Sequence, residues 1–393
     1  MAISNPFNRG IPDPTEIVGR YGQIKVFKSY LDATINRKPI SMSVIGIRGI
    51  GKTTLLRKYE NIVENSNGIA IRIDMLEGDD LESMCKKILY ELSVKIREKS
   101  MLKILSNKIG RFLKNFSIEI KYNEFGLNIE TVCDKEQILS TVLKEKLIEV
   151  WKNVGNEVSS IVFLIDESEY LENITGALMF LRNVFSRLAE YNCGYSIVLS
   201  GKLTFHKKMS ELFSPLTRYF HPLELGPLTE SEVKELINFE LAKTSIDMTD
   251  KCLKLILQES QGHPYVVVTM CWVLYDRLPQ SENVITEQHF KACSESIMGM
   301  LSRELFRGMY EKTPEYERNV LNQIAKSDGY LTTSKISEKL GVKSTTIGPA
   351  LARLVDKGCL IKLSRGKYQI FHPLFTKYIK NKLDESASEL LLF

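Results

Sequence analysis

Short apolar runs alternate with helical periodicity along the first part of the chain. Ser43-Val44-Ile45, Ile69-Ala70-Ile71-Arg72-Ile73, Ile161-Val162-Phe163-Leu164-Ile165 and Tyr195-Ser196-Ile197-Val198-Leu199 predict strands. A strand buried on both faces needs apolar side chains pointing both ways, so such runs suit the inside of a parallel sheet. A fifth strand is expected over 219–225, closing in Gly226-Pro227. Helices are expected over 20–36, 135–152 and 176–191. Leu81, Cys85, Ile88, Leu92 and Ile96 recur at the three- and four-residue spacing of another helix. Between strands and helices lies one insertion, 77–157, too long for a single crossover. Inside it Phe116, Ile118, Ile120 and Tyr122 alternate with polar residues, and Leu127 and Ile129 follow a Gly126 turn, which predicts a β-hairpin. Strands alternating with helices predict an α/β fold with a doubly wound parallel sheet.

Beyond Thr229 the pattern becomes helical. Thr229-Glu230-Ser231-Glu232 suits a helix cap, and Thr313-Pro314 interrupts the run. Three short helices are then expected over 315–326, 332–340 and 344–357, with two strands flanking Ser364-Arg365-Gly366-Lys367. The expected division is a core over 1–228, a helical segment over 229–312, a small domain over 313–385 and a tail over 386–393.

Chemistry enters where the first strand ends. Gly46-Ile47-Arg48-Gly49-Ile50-Gly51-Lys52-Thr53 fits G-x-x-x-x-G-K-[ST], and Thr54-Leu55-Leu56-Arg57-Lys58-Tyr59 after it can open a helix. Glycines let the backbone curl until several N–H groups face one anion, and the helix adds its positive end. Gly46, Arg48, Gly49, Ile50, Gly51, Lys52, Thr53 and Thr54 are therefore expected to bind a nucleotide. Lys52 would reach the β- and γ-phosphates, and the Thr53 hydroxyl would ligate Mg2+. The third strand ends in Asp166-Glu167, at the sheet edge where open α/β folds bind ligands. Asp166 is the expected metal ligand, directly or through water. Glu167 would orient or deprotonate the attacking water. Together the two segments point to Mg-ATP or Mg-GTP and competence for hydrolysis.

Composition narrows the setting. The 393 residues are 44% hydrophobic and 26% charged, ordinary for a globular protein of two or three domains. No stretch approaches the ~20 apolar residues of a membrane span. The first residues lack a charged-then-apolar leader, so a cytoplasmic protein without membrane attachment is expected. Seven scattered cysteines without a C-x-x-C pair fit reduced thiols rather than a disulfide frame or zinc site. Net charge is +5, but 315–383 holds 13 Lys and Arg against 5 Asp and Glu, leaving 40 against 43 elsewhere. That excess points to an anionic partner such as nucleic acid, or to a solvated lysine-rich face.

Asn5-Pro6-Phe7, Val18-Gly19-Arg20, the glycine loop, Asp166-Glu167, Leu223-Glu224-Leu225-Gly226-Pro227-Leu228-Thr229 and Gln261-Gly262-His263-Pro264-Tyr265 resemble a known group. They are similar to AAA+ ATPases of the branch containing archaeal origin-recognition initiators, and to related STAND-type ATPases. The resemblance implies a P-loop ATPase core, a helical lid over 229–312, and ATP rather than GTP. It implies that Val18, Gly19 and Arg20 border the adenine and that Pro264 lies in a Gly-x-Pro nucleotide motif. Ser200 would sense the γ-phosphate. Arg218 would contact it, often in a neighbouring subunit; the alternatives are a strand-end turn residue and a surface ion pair. Initiators usually carry a lid arginine where this chain reads Gly262-His263-Pro264, which favours the STAND-like relatives, and His263 reads as an exposed loop histidine without a role.

The C-terminal domain resembles a winged helix-turn-helix, with the turn at Gly341-Val342-Lys343. Lys343, Ser344, Thr345, Thr346 and Arg353 would meet DNA from the third helix, and Lys362, Arg365 and Lys367 from the wing. Pro349 fits that helix only in its first turn or two. Three functions remain open from the sequence: an ATP/ADP switch contacting double-stranded DNA, a signalling or defence switch whose winged helix is a protein-contacting regulatory module that clamps its own ATPase core and whose insertion binds a protein, and a ring motor. The insertion is the natural surface for a homo-oligomer or protein partner.

Overall fold

A computed structural model of the chain describes residues 5–10, 12–99, 132–327 and 329–390. The hairpin expected around 116–129 lies outside the described residues. The chain divides into two compact units. The core unit comprises Asp13–Gly46 and Lys52–Leu225; the second comprises Met1–Pro12, Ile47–Gly51 and Gly226–Phe393.

The core unit opens with α1 (Tyr21–Ile35) and β1 (Ser41–Ile45), then α2 (Lys52–Asn65), β2 (Ile69–Asp74) and α3 (Leu81–Glu98). α4 (Val132–Val154), β3 (Ile161–Asp166), α5 (Ala177–Glu190) and β4 (Tyr195–Gly201) follow, then α6 (Leu203–Leu212), α7 (Pro215–Tyr219) and β5 (Phe220–Glu224). The five strands are parallel in the order β2-β3-β4-β1-β5. β1, β3 and β4 are buried along their whole length, as their apolar runs require. β5 is a residue shorter at each end than expected and carries Pro222, which the sheet tolerates because β5 is an edge strand. α3 starts with a reciprocal cap in which Asp80 and Ser83 exchange side-chain and backbone bonds.

One hydrophobic cluster joins the sheet to α3, α4 and α5 through Phe163, Tyr195, Leu89, Leu143, Leu181 and Phe185. The two helices between β4 and β5 were not legible as separate elements: α6 is short and α7 is a single turn begun by Pro215.

The second unit contains α8 (Glu230–Leu241), β6 (Asp247–Met248), α9 (Asp250–Ser260), α10 (Pro264–Asp276), β7 (Val284–Ile285) and α11 (Glu287–Leu301). Thr229 caps α8 in the expected reciprocal arrangement with Glu232. One π-helical turn (Ser302–Phe306) leads into α12 (Arg307–Glu311). Then come α13 (Glu315–Ala325), β8 (Tyr330–Thr332), α14 (Thr333–Leu340), α15 (Ser344–Asp356), β9 (Leu360–Ser364), β10 (Lys367–Ile370) and α16 (Pro373–Leu390). β8, β10 and β9 form an antiparallel sheet in that order. Gly341 ends α14 with φ 64°, a left-handed turn that glycine adopts without strain. Pro349 sits in the second turn of α15.

Candidate functional site

Parallel register sets the first half of the site. Asp74 stands opposite Asp166, Ile165 opposite Leu199, Val44 opposite Ser200 and Ile45 opposite both Gly201 and Glu224. The C-terminal ends of the inner strands are therefore level, so whatever follows Ile45, Ile165 and Leu199 emerges in one row. Gly46 N–H donates to the Gly201 carbonyl at 3.2 Å, fixing where the loop leaves the sheet.

Asp166 is the centre of this row and is 4% exposed. The Thr53 hydroxyl, in the first turn of α2, donates to its Oδ2 at 2.7 Å. The Ser200 hydroxyl donates to its Oδ1 at 2.7 Å, and the Glu167 N–H also reaches Oδ1 at 2.9 Å. Ser168, which no motif singled out, supports the row: its Oγ accepts from Ser200 N–H at 3.1 Å and donates to the Ile165 carbonyl at 2.8 Å. A buried carboxylate is costly unless its oxygens are satisfied. Asp166 meets that condition with partners from three segments.

Lys52, first residue of α2, donates from Nζ to the Gly46 carbonyl at 3.0 Å. Burial holds its pKa below the usual lysine value, while Glu169, Asp166 and Glu167 pull the other way. Glu167 takes a left-handed backbone at φ 49° and is exposed. Desolvation raises its carboxyl pKa first, and the neighbouring charges of Glu169 and Asp166 add to the rise. Glu169 thus belongs to the electrostatics of the site although sequence reasoning passed over it; the crowding of acids in Asp166-Glu167-Ser168-Glu169 was its signal. Lys202 pairs with Glu169 at 3.2 Å.

The crest of the loop, Ile47–Gly51, belongs to the second unit. There His263 Nε2 lies 3.1 Å from the Arg48 carbonyl oxygen. His263 is 2% exposed, so the expectation of an exposed loop histidine is corrected. Its partner stands 215 positions away, beyond any local pattern. Pro264 begins α10, with His263 at the N-cap position but no capping bond from its side chain. Arg48 itself is exposed, Ile50 is buried, and Thr54 is half-buried in α2.

The remaining predicted residues are dispersed. Gly19 and Arg20 are buried with positive φ ahead of α1, and Val18 is half-buried. Arg218 is exposed near the end of α7 and forms no ion pair among the described residues. Lys343, Ser344, Thr345 and Thr346 are exposed at the start of α15, and Lys362, Arg365 and Lys367 are exposed around the β9–β10 turn. Arg353 is paired: its Nε donates to Glu317 Oε1 at 2.5 Å, with Lys357 on Oε2 at 2.6 Å. Glu317 is 2% exposed, and these two cations keep its carboxyl below the usual range against the cost of burial.

Residues 36–209 match the family described as AAA domain, and residues 303–379 match one described as Domain of unknown function (DUF8462). The fold is similar to that of the Walker-type ATPase PABY2304 of Pyrococcus abyssi, with TM-score 0.60 and 16% identity over 95% of this chain and 99% of that one. It is similar also to the Aeropyrum pernix ORC2 protein, solved as ADPNP–ADP complexes. There the TM-score is 0.63 and the identity 13%, over 98% of this chain and 99% of that one. At such identities the likeness is one of fold. No curated protein matches by sequence.

Proposed function

We propose that this P-loop ATPase, whose residues 36–209 match the AAA domain, is a Mg2+-dependent switch that binds and hydrolyses ATP and contacts double-stranded DNA through a C-terminal winged helix. Two hydrogen bonds carry the nucleotide half of this assignment: Thr53 and Ser200 each meet one oxygen of Asp166 at 2.7 Å. A hydroxyl and a carboxylate from segments over a hundred residues apart form a hard-oxygen pair. Mg2+ takes one or two such protein oxygens and completes its shell with water and phosphate, so these residues fit it. Bound there, Mg2+ would neutralise charge on the triphosphate.

The chain's own groups do the rest. The loop N–H groups bind phosphate oxygens, and Lys52 adds its charge beside them. Ser200 holds Asp166 in one orientation. Glu167 accepts a proton from water, a role that its raised pKa suits. Arg218 reaches the γ-phosphate of its own or a neighbouring copy, and mixing Arg218→Ala with Lys52→Ala chains tests which. Restored turnover means sharing between subunits; none means action within one chain.

For DNA, helix α15 follows α14 after a glycine turn, with the β9–β10 hairpin as a wing. Along α15 the exposed side chains are Ser344, Thr345, Thr346, Pro349 and Ala352, with Arg353 committed to Glu317. None is a bidentate base reader of the Arg, Lys, Asn or Gln type. Binding should therefore go mainly to phosphates, with weak sequence preference. Gel-shift titration against salt, using two unrelated duplexes, checks this. Comparable affinities with a steep salt slope are expected, roughly −0.9 per phosphate neutralised. Salt-insensitive or absent binding removes the DNA role and leaves the ATPase.

A protein-contacting role has one observation in its favour. Tyr330, Gln369 and Ile361 stand in one row across the small sheet, and Tyr330, Ile361 and the nearby Leu363 are exposed. The six described cysteines are free and buried, which fits a reducing compartment.

A further inference from the structure

We propose that His263 is a positioning residue for the phosphate loop: it turns the Arg48–Gly49 peptide so that its N–H faces the bound anion. This rests on the nucleotide role of the loop and goes beyond it by naming what holds the loop in its anion-binding form. A carbonyl oxygen only accepts, so the 3.1 Å contact with the Arg48 carbonyl assigns the proton to His263 Nε2. A trans peptide is planar, with its C=O and N–H pointing opposite ways. Fixing the Arg48 carbonyl on the imidazole side therefore sends the Gly49 N–H to the other side. The reverse orientation would present a carbonyl dipole to a phosphate.

The imidazole also fits closely against the loop. A Cβ added at Gly49 would stand 2.9 Å from His263 Cε1 and 3.3 Å from Tyr265 Cβ, and φ there is +75°. Gly49 is needed for this approach as well as for the turn.

The imidazole is itself held. His372, 5.9 Å from it between ring centroids, donates from Nε2 to the Ser260 carbonyl at 2.9 Å and accepts at Nδ1 from Leu374 N–H at 3.2 Å. Phe371 packs edge-on against His263 at 6.2 Å. On the other side Gly262, at φ +73°, leaves no room for a Cβ, which would fall 2.2 Å from the Leu228 carbonyl oxygen. Neither the ring nor the backbone that carries it can turn without disturbing this packing.

Replacing the donor while keeping bulk separates this role from packing. His263→Leu removes the Nε2 donor, whereas His263→Gln offers an amide N–H at a similar reach. In the full chain, calorimetry with Mg-ADP and Mg-ATP should show His263→Leu weakened about tenfold or more, the scale of removing one hydrogen bond to an organised loop. His263→Gln should return to within about threefold on the same scale. Adenosine, which has no phosphate, should bind both variants and the parent alike. Equal Mg-ADP binding by parent and His263→Leu overturns the inference, and so does equal weakening in both variants. If the parent itself binds no Mg-ADP, the nucleotide reading has failed instead. Should His263→Leu not fold, spectra of the parent labelled with 15N-histidine decide: a buried Nε2–H imidazole should shift with Mg-ADP and not with adenosine, and no histidine shift overturns it.

Discussion

The Asp166 row and the β9–β10 hairpin are both polar, yet they are built in opposite ways. Asp166 is buried, and its oxygens are met by Thr53, Ser200 and Glu167 N–H from three segments. Lys362, Arg365 and Lys367 are exposed side chains from one short stretch of chain. A buried, fully bonded group has no substitute when one partner goes, so single changes there should be severe. Exposed charges act through a screened field, so each should count for little and roughly add. The difference should be measurable as a gradient of effects.

Lys52→Ala should have the largest effect, on the order of a hundredfold or more in nucleotide affinity by calorimetry, because it removes a partly desolvated charge from the proposed phosphate site. Glu167→Gln should leave affinity within about threefold while turnover falls on the order of a hundredfold or more, the scale expected for removing a general base. If Glu167→Gln turns over at the parent rate, another group activates the water.

The pH profile sharpens the same point. A base must be deprotonated, and the Glu167 pKa is raised above the usual 4.5 by partial desolvation and then by Glu169 and Asp166. Turnover should therefore fall away as pH drops through a value above 4.5. Glu169→Gln removes a repelling charge and should move that acid limb to lower pH.

Effects at the β9–β10 turn should be smaller. Arg365→Ala with Lys367→Ala should lower DNA affinity about tenfold at moderate salt and flatten the salt slope by roughly 0.9 for each phosphate no longer neutralised. Arg353→Ala should be the weakest. Its side chain is 54% exposed and Lys357 remains on Glu317, so thermal unfolding should register under about 1 kcal/mol and DNA binding should hardly change. A drop in DNA affinity at Arg353 as large as that at Arg365 would mean that its bond to Glu317 opens on DNA.

The same contrast explains what could be read from the residues alone. β1, β3 and β4 were legible because a strand covered on both faces must be apolar at every position. The glycine loop and Asp166-Glu167 were legible because their chemistry demands fixed types at fixed spacing. The hydrogen bond of His263 to the Arg48 carbonyl depends on a fold-level approach that leaves no local periodicity. The place of Arg353 on α15 was visible, whereas its pairing with Glu317, 36 positions earlier, arises only through helix packing. β8 spans three residues, too few for an alternation to register.

The most direct test of the central claim is a calorimetric cycle on the full chain with an ATP analogue, with and without Mg2+, for the parent, Thr53→Ala, Asp166→Asn and the double variant. If Thr53 and Asp166 hold one metal–triphosphate, Mg2+ should strengthen binding by the parent. Either single change should remove most of that gain, and the double should fall little below the worse single. Binding by the parent that ignores Mg2+, or effects that simply add across the two changes, would contradict it.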